Sequence, residues 1–212
     1  MSDMTLVMGT KTYSSWSLRP WLALKMAGAA FDEVVIPLRQ ADTKARILEV
    51  SPSGHVPLLT HGGLKIWDSL AICDYAAELF PAAGLWPDDR AARATARAIS
   101  AEMHTGFVPL RQQMPMHCQL RERRAPSPET AANIARIAEI WRGCRAAYGQ
   151  GGDFLFGRFT IADAMYAPVV SRFQTYDVDL DPACAAYRDA VLALPALQDW
   201  MKAAAAEQLP DA

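Results

Sequence analysis

The sequence predicts an α+β domain followed by an all-helical domain. Segments with strand character occur only in the first eighty residues, where they alternate with helical segments in the order βαβαββα. From about residue 88 the strand signal disappears, and long alanine-rich segments with a helical period follow. A chain of 212 residues is also long enough for two packed domains. We expect domains over residues 1–81 and 88–212, joined by a linker over residues 82–87.

The elements of the first domain follow one another closely. The first strand is TLVMG, and apolar residues from Leu18 to Met26 then follow a helical period that stops before Gly28. The next two elements are a strand, FDEVVIPL, and a short helix, TKARILEV. An antiparallel hairpin is predicted by VPLLT and LKIW, which HGG separates, and DSLAICDYAAELF predicts a helix that ends before Pro81.

The second domain is predicted from helical segments that prolines and glycines separate. They are DDRAARATARAISAEMHTGFVPLRQQM, PETAANIARIAEIWRGCRAAY, TIADAMYAPVVSRFQTY and a C-terminal pair interrupted by Pro195. Thr160 and Asp163 have the spacing of a capping box at the start of the third segment, and we assign this pair to folding only.

The composition argues against several classes of partner. A net charge of -2 supplies no basic surface for nucleic acid, and no segment approaches the roughly 18 unbroken apolar residues of a membrane span. The N-terminus lacks the pattern of a signal peptide, so we expect a soluble cytoplasmic protein. The four cysteines are widely spaced and the four histidines lie singly, which predicts reduced, mostly buried thiols and no metal site.

Three serines surround the predicted start of the first helix, in TYSSWSLRPW. Pro20 is best tolerated among the first four N–H positions, so we expect regular helix from about Ser17, with Ser17 as the cap. Ser14 and Ser15 would then lie in the preceding loop, beside the positive end of the helix, which suits an anion. Helix capping alone is the alternative explanation of these serines.

Two later stretches also place polar groups where an extended peptide could bind. In SPSGHVPLL, Pro57 starts a strand after a turn, and a cis Val56–Pro57 bond there would present the Val56 N–H and C=O to a ligand. In IWDSLAICDY, Asp68 and Ser69 open a helix and could hold an ammonium and a carboxylate. An ordinary strand-start proline and simple capping are the alternatives.

The three stretches, in this order, resemble those of the cytosolic glutathione transferases. SSWSLRPWLAL is similar to the serine-type signature of the zeta class, SSCS followed by arginine, while SPSGHVPLL and WDSLAICDY resemble the family's cis-proline and acidic-Ser segments. GRFTIADAMYAPV resembles the C-terminal capping motif. The resemblance covers nearly the whole chain. It implies a thioredoxin-like N-terminal domain, a helical C-terminal domain, glutathione as cosubstrate without a metal, and a homodimer.

The resemblance also implies which residues bind each part of glutathione. Ser69 and its N–H would bind the γ-glutamyl α-carboxylate, Asp68 would assist the same end, and Val56, held by Pro57, would pair with the cysteinyl backbone. His55 is a candidate for the glycyl carboxylate, with an exposed turn histidine as the alternative.

The thiol of glutathione would then lie at the start of the first helix. We expect Ser14, supported by Ser15, to donate a hydrogen bond that stabilises the thiolate for attack on an electrophile. Tyr13 is an alternative donor, because other classes use tyrosine, and is otherwise packing or a wall of the substrate pocket.

The electrophile pocket is expected to include the first helix of the second domain. His104, Phe107 and Arg111 share roughly one face of that predicted helix, and Arg111 could hold an anionic substrate. Simple packing between helices is the alternative. We also place Tyr13 and Trp16 in the pocket wall.

The expected activity is conjugation of glutathione to small hydrophobic electrophiles, or reduction of peroxides with it. A glutathione-dependent cis–trans isomerase acting on maleylacetoacetate is the second possibility, although Trp16 replaces the zeta-class cysteine that is associated with that chemistry. A non-catalytic binding protein that retains the fold is the third.

Overall fold

The computed structural model describes residues 3–209, and its N-terminal half contains a four-stranded sheet. The elements are β1 (Met4–Gly9), α1 (Ser15–Met26), β2 (Asp32–Ile36), α2 (Thr43–Val50), β3 (Leu58–His61), β4 (Leu64–Trp67) and α3 (Ser69–Leu79). The predicted order βαβαββα is therefore confirmed.

The sheet is mixed, with the strand order β2-β1-β3-β4. Strand β1 runs parallel to β2 and antiparallel to β3, which in turn forms a hairpin with β4. Side chains of neighbouring strand residues point to opposite faces of a sheet. Leu6 accordingly packs in the main core with α1 and α3, whereas Val7 packs against Ile47 of α2 on the other face.

The second half is helical, as predicted. A 3-10 turn (Pro81–Ala83) precedes α4 (Arg90–Thr105), α5 (Val108–Gln113), α6 (Pro128–Tyr148), α7 (Ile161–Thr175), α8 (Pro182–Leu192) and α9 (Pro195–Ala205). Helix α7 is almost entirely buried and packs against α1, so one continuous core links both halves. The domain limits at residues 81 and 88 stay a prediction.

The prediction of one long helix carrying His104, Phe107 and Arg111 is wrong. Helix α4 ends at Thr105, Phe107 adopts a left-handed conformation with φ 60°, and a second helix, α5, starts at Val108. Pro109 explains the break, because a proline has no N–H and is tolerated only in the first turn of a helix.

Two further predictions concern thiols and membranes. All four cysteines are buried and free, which confirms the predicted reduced thiols. Between residues 3 and 209, no helix has the length and apolar character needed to cross a bilayer.

Candidate active site

Helix α1 starts at Ser15, and Ser14 rather than Ser17 is its N-cap. The Ser14 Oγ accepts a hydrogen bond from the Ser17 N–H at 3.4 Å and donates to the Ser17 Oγ at 2.7 Å. The Ser17 Oγ also accepts from the Gly9 N–H at 3.2 Å. The expected cap at Ser17 is therefore wrong, because Ser17 faces the interior and joins the helix start to β1.

Pro20 does not fix the start of α1, because tertiary packing decides where this helix begins. Pro20 lies inside α1, beyond the start of the helix, where it removes a backbone hydrogen bond. The helix nevertheless forms, because it buries Leu18, Trp21 and Leu22 in the main core, and packing outweighs local propensity.

The two candidate serines differ in how their hydroxyls are used. Both side chains are buried, and Ser15 is the first residue of α1 rather than part of the loop. The Ser14 hydroxyl donates its proton to the Ser17 Oγ. The Ser15 Oγ forms no hydrogen bond with any other described residue, and it keeps some access to solvent. Ser15 thus has the freer hydroxyl for a ligand.

The loop before α1 is held by the C-terminal end of the chain. The Glu207 carboxylate accepts hydrogen bonds from the Lys11 N–H at 2.7 Å, the Thr12 N–H at 2.8 Å and the Thr12 hydroxyl at 2.8 Å. The Trp200 indole N–H donates to the Lys11 carbonyl at 3.1 Å. Sequence reasoning missed Glu207, since nothing local relates it to a loop 195 residues away.

Tyr13 contacts a histidine and an arginine that the sequence did not place in the site. Its ring makes an edge contact with His117, at 5.2 Å between centroids, and the Arg39 guanidinium lies 3.8 Å from its centre. The choice between hydroxyl donor and packing residue for Tyr13 stays a prediction.

A cavity of about 260 Å³ collects most of the predicted binding residues, at the junction of α1, the β3–β4 hairpin, α3 and α4. Its lining includes Trp16, His55, Val56, Pro57, Asp68, Ser69 and His104, and two residues that the sequence did not suggest, Ser53 and Trp67. The lining does not include Ser14, Ser15, Tyr13, Phe107 or Arg111.

Val56 offers a free backbone to the cavity. The predicted cis Val56–Pro57 bond is present, and β3 begins only at Leu58. Neither the N–H nor the C=O of Val56 is hydrogen-bonded to another of residues 3–209. His55 is exposed, and its Nδ1 donates to the Ser53 carbonyl at 2.8 Å.

The start of α3 presents a second free group. Asp68 has φ 77° and caps the helix, its Oδ1 accepting from the Leu70 N–H at 2.9 Å and the Ala71 N–H at 3.2 Å. The preceding donor, the Ser69 N–H, has no backbone acceptor within the described chain. An unpaired N–H at the positive end of a helix is suited to an anion.

His104 reaches the same carboxylate from the other half of the molecule. Its Nε2 lies 3.1 Å from Asp68 Oδ2, and its ring makes an edge contact with Trp16. Burial lowers the pKa of His104, and the Asp68 charge offsets only part of this effect. We conclude that His104 is neutral at pH 7 and donates its Nε2 proton to Asp68.

Arg111 is occupied by the end of α4. Its guanidinium donates to the carbonyls of Gly106 at 3.0 Å and His104 at 3.2 Å, and also to that of Met103. It lies 4.8 Å from the centre of the Trp16 ring. These bonds stabilise the α4–α5 break, and an anionic substrate would have to share the guanidinium with them.

Arg19 lies directly beneath the cavity and is completely buried. Its Nη1 donates to the Ser69 Oγ at 3.5 Å, and its guanidinium stacks 4.3 Å from the centre of the Trp16 ring. Nε and Nη2 have no partner among the described residues. Burial lowers the pKa of Arg19 to about 9. Arg19 is the arginine of the SSWSLRPWLAL signature, but the sequence alone did not indicate a role for it.

Two family models match the chain. They describe the N-terminal and the C-terminal domain of glutathione S-transferases, and they match residues 13–79 and 127–203, together about two thirds of the chain. The chain belongs to the glutathione S-transferase family.

Named relatives and a solved structure agree with this assignment. A maleylacetoacetate isomerase of Rattus norvegicus is 29% identical over 87% of this chain and 85% of its own length. Glutathione S-transferase Z2 of Arabidopsis thaliana is 24% identical over 95% of this chain and 92% of its own. A glutathione transferase homolog from Burkholderia BGR1, solved with bound glutathione, has a TM-score of 0.70 and 25% identity, covering 95% of this chain and 97% of that one.

Proposed function

We propose that this transferase binds glutathione in the cavity beside α1, ionises its thiol, and joins it to small hydrophobic electrophiles. One observation carries the proposal: the unpaired backbone of Val56 and the unpaired N–H of Ser69 line one cavity, next to the start of α1. Two separate peptide-binding groups on one cavity suit a short peptide better than a compact ligand.

The tripeptide has one partner for each of its polar ends. Ser69 would bind the γ-glutamyl carboxylate at the start of α3. The ammonium would bind Asp68 Oδ2, which in the structure accepts the Nε2 proton of His104. Val56 would pair with the cysteinyl backbone, and His55 at the rim would approach the glycyl carboxylate. The cysteinyl sulfur would then lie towards α1.

The thiol is ionised by the first turn of α1. A free thiol has a pKa of ~8.5, and lowering that pKa by about two units corresponds to roughly 2.7 kcal/mol of thiolate stabilisation. A hydroxyl and the positive helix end can supply this without a general base. The free hydroxyl of Ser15 supports it as the donor, while Ser14 would first have to release Ser17.

Ultraviolet difference spectroscopy of bound glutathione tests the proposal. We expect a thiolate band at neutral pH in the wild type, with its apparent pKa raised by about one unit or more and conjugation about tenfold slower in the Ser15→Ala or Ser14→Ala variant. Ser127→Ala is the matched control, because Ser127 caps α6 as Ser14 caps α1 but belongs to the helical half and lines a different cavity. A wild type that binds glutathione without a thiolate band at neutral pH would refute the mechanism.

A second candidate function is glutathione-dependent cis–trans isomerisation. The support is the similarity to a maleylacetoacetate isomerase. Against it, Trp16 occupies the position of the zeta-class cysteine, and its ring contacts the guanidinium groups of Arg19 and Arg111. Assay of maleylacetoacetate isomerisation and of conjugation on the same preparation separates the two, and peroxide reduction is tested alongside. Glutathione binding without any turnover would favour the scaffold alternative.

We also propose that the protein is a cytoplasmic homodimer. Large apolar side chains are exposed on both edge strands of the sheet, Val34 and Val35 on β2 and Leu64 and Trp67 on β4. Light scattering should give twice the chain mass, and Leu64→Asp is expected to shift the equilibrium towards monomer. A monomeric wild type at micromolar concentration would contradict the proposal.

A further inference from the structure

We infer that Arg19 is a positioning residue. It acts through the Ser69 hydroxyl and thereby makes the Ser69 end of the cavity select a carboxylate. The inference rests on the proposed function, because it deepens the binding of the γ-glutamyl end. It concerns a residue that touches the cavity wall rather than the ligand.

The contact with Arg19 fixes the direction of the Ser69 hydroxyl. A guanidinium can only donate hydrogen bonds, so the Ser69 oxygen must be the acceptor of the Arg19 contact. A hydroxyl that accepts from below keeps its own proton free to donate elsewhere. Because Ser69 lines the cavity, that proton is available to a ligand oxygen, beside the unpaired Ser69 N–H.

The guanidinium of Arg19 has no ion-pair partner among the described residues. At 3.5 Å the contact is at the upper limit of a hydrogen bond, so the charge matters more than the bond itself. No nitrogen of Arg19 pairs with a carboxylate of the described chain, and two of the three have no partner at all. Arg111 and Arg172 add to the positive potential at Arg19, and the Asp68 carboxylate offsets part of it.

Burial makes this charge effective across a short distance. Arg19 has no exposed surface, and Trp16 covers its guanidinium, so little water screens the field between Arg19 and Ser69. The pKa of Arg19 remains about 9 despite burial, and the group is therefore charged at pH 7. A buried unpaired cation is costly on its own. A carboxylate at Ser69 would offset part of that cost.

Calorimetry with two ligands tests the inference. The first ligand is glutathione, and the second is γ-aminobutyryl-cysteinylglycine, which is glutathione with the α-carboxylate replaced by hydrogen. We expect Arg19→Met to weaken glutathione binding about tenfold or more and binding of the analogue less than about twofold. Arg19→Lys, which keeps the charge, should restore most of the preference. Arg19→Gln provides the same comparison if Arg19→Met does not fold.

Two further variants separate this role from simple structural support. Arg172 is also a buried arginine, but its guanidinium bonds to the Met114 and Pro168 carbonyls and not to Ser69, so Arg172→Met should change the ratio of the two affinities far less than Arg19→Met does. Ser69→Ala should remove most of the preference, and adding Arg19→Met to it should cost little more.

Any of three results overturns the inference. The first is that the Arg19→Met variant loses the same factor of affinity for both ligands. The second is that it binds glutathione as tightly as the wild type, and the third is that its effect on affinity adds fully to that of Ser69→Ala. A wild type that binds neither ligand would overturn the proposed function, and this inference with it. A wild type that binds glutathione, with equal losses for both ligands in the variants, would overturn the inference alone.

Discussion

Replacing Asp163 with alanine tests how far folding depends on one buried carboxylate at the start of α7. Its Oδ2 accepts from the Thr160 N–H at 2.8 Å and the Thr160 hydroxyl at 2.9 Å, which confirms the predicted capping box. Its Oδ1 accepts from the Leu155 N–H and the Tyr187 hydroxyl, both at 3.1 Å. The carboxylate therefore joins α7 to the preceding loop and to α8.

The expected loss follows from these four bonds. Alanine would leave the Leu155 N–H, the Thr160 N–H and the Tyr187 hydroxyl buried without an acceptor, at about 1–3 kcal/mol each. Removing the buried charge of Asp163 is itself favourable and offsets part of this loss in stability. We expect a net loss of about 4 kcal/mol in the free energy of unfolding, or roughly 8–16 °C in Tm for a chain of this size.

The loss should also depend on pH. Burial raises the pKa of Asp163 to about 6, well above its value of ~3.9 in an unfolded chain. The folded state therefore binds the proton more readily, and the contribution of Asp163 to stability decreases as the pH rises from about 4 through 6. The penalty of the substitution should thus be about 1 kcal/mol greater at pH 5 than at pH 7.

Urea unfolding at both pH values measures the effect. Asp181→Ala is the matched control: Asp181 caps α8 through the Ala183 and Cys184 N–H groups but is half-exposed, so its loss should be about 1 kcal/mol. Well below its Tm, Asp163→Ala should keep the KM of the wild type. A loss no larger than that of Asp181→Ala, or a changed KM in folded protein, would refute the reasoning.

Two other predictions concern the site and its pH dependence. Glu207→Ala removes three hydrogen bonds from the loop before α1, so kcat/KM should fall about fivefold or more, with faster amide exchange over residues 10–14; unchanged exchange would contradict it. Burial lowers the pKa of His104 and of His117, so the unfolded chain binds more protons below pH 6.5, and their contribution to stability is lost as the pH falls through that range. Urea unfolding at pH 7 and pH 5 should show a smaller difference in the His104→Gln, His117→Gln double variant than in the wild type.

The order of the elements could be predicted because it depends on local patterns. Strand alternation, helical periodicity and the HGG turn each extend over a few residues, and the structure confirms the order that they indicate. The start of α1 was missed because two local rules competed, and the Ser14 cap together with a buried helix face outweighed the cost of Pro20. The break between α4 and α5 was missed although Pro109 signalled it by the same rule.

The sequence by itself determined the two halves, the Val56–Pro57 turn and the Asp68–Ser69 helix start, because each is encoded by neighbouring residues. Only the tertiary structure decided which side chains meet around them. Arg19 lies beneath Ser69, 50 residues away, and His104 reaches Asp68 from the helical half. Such contacts depend on how α1 packs against α3 and α7, and local periodicity carries no information about packing between distant segments.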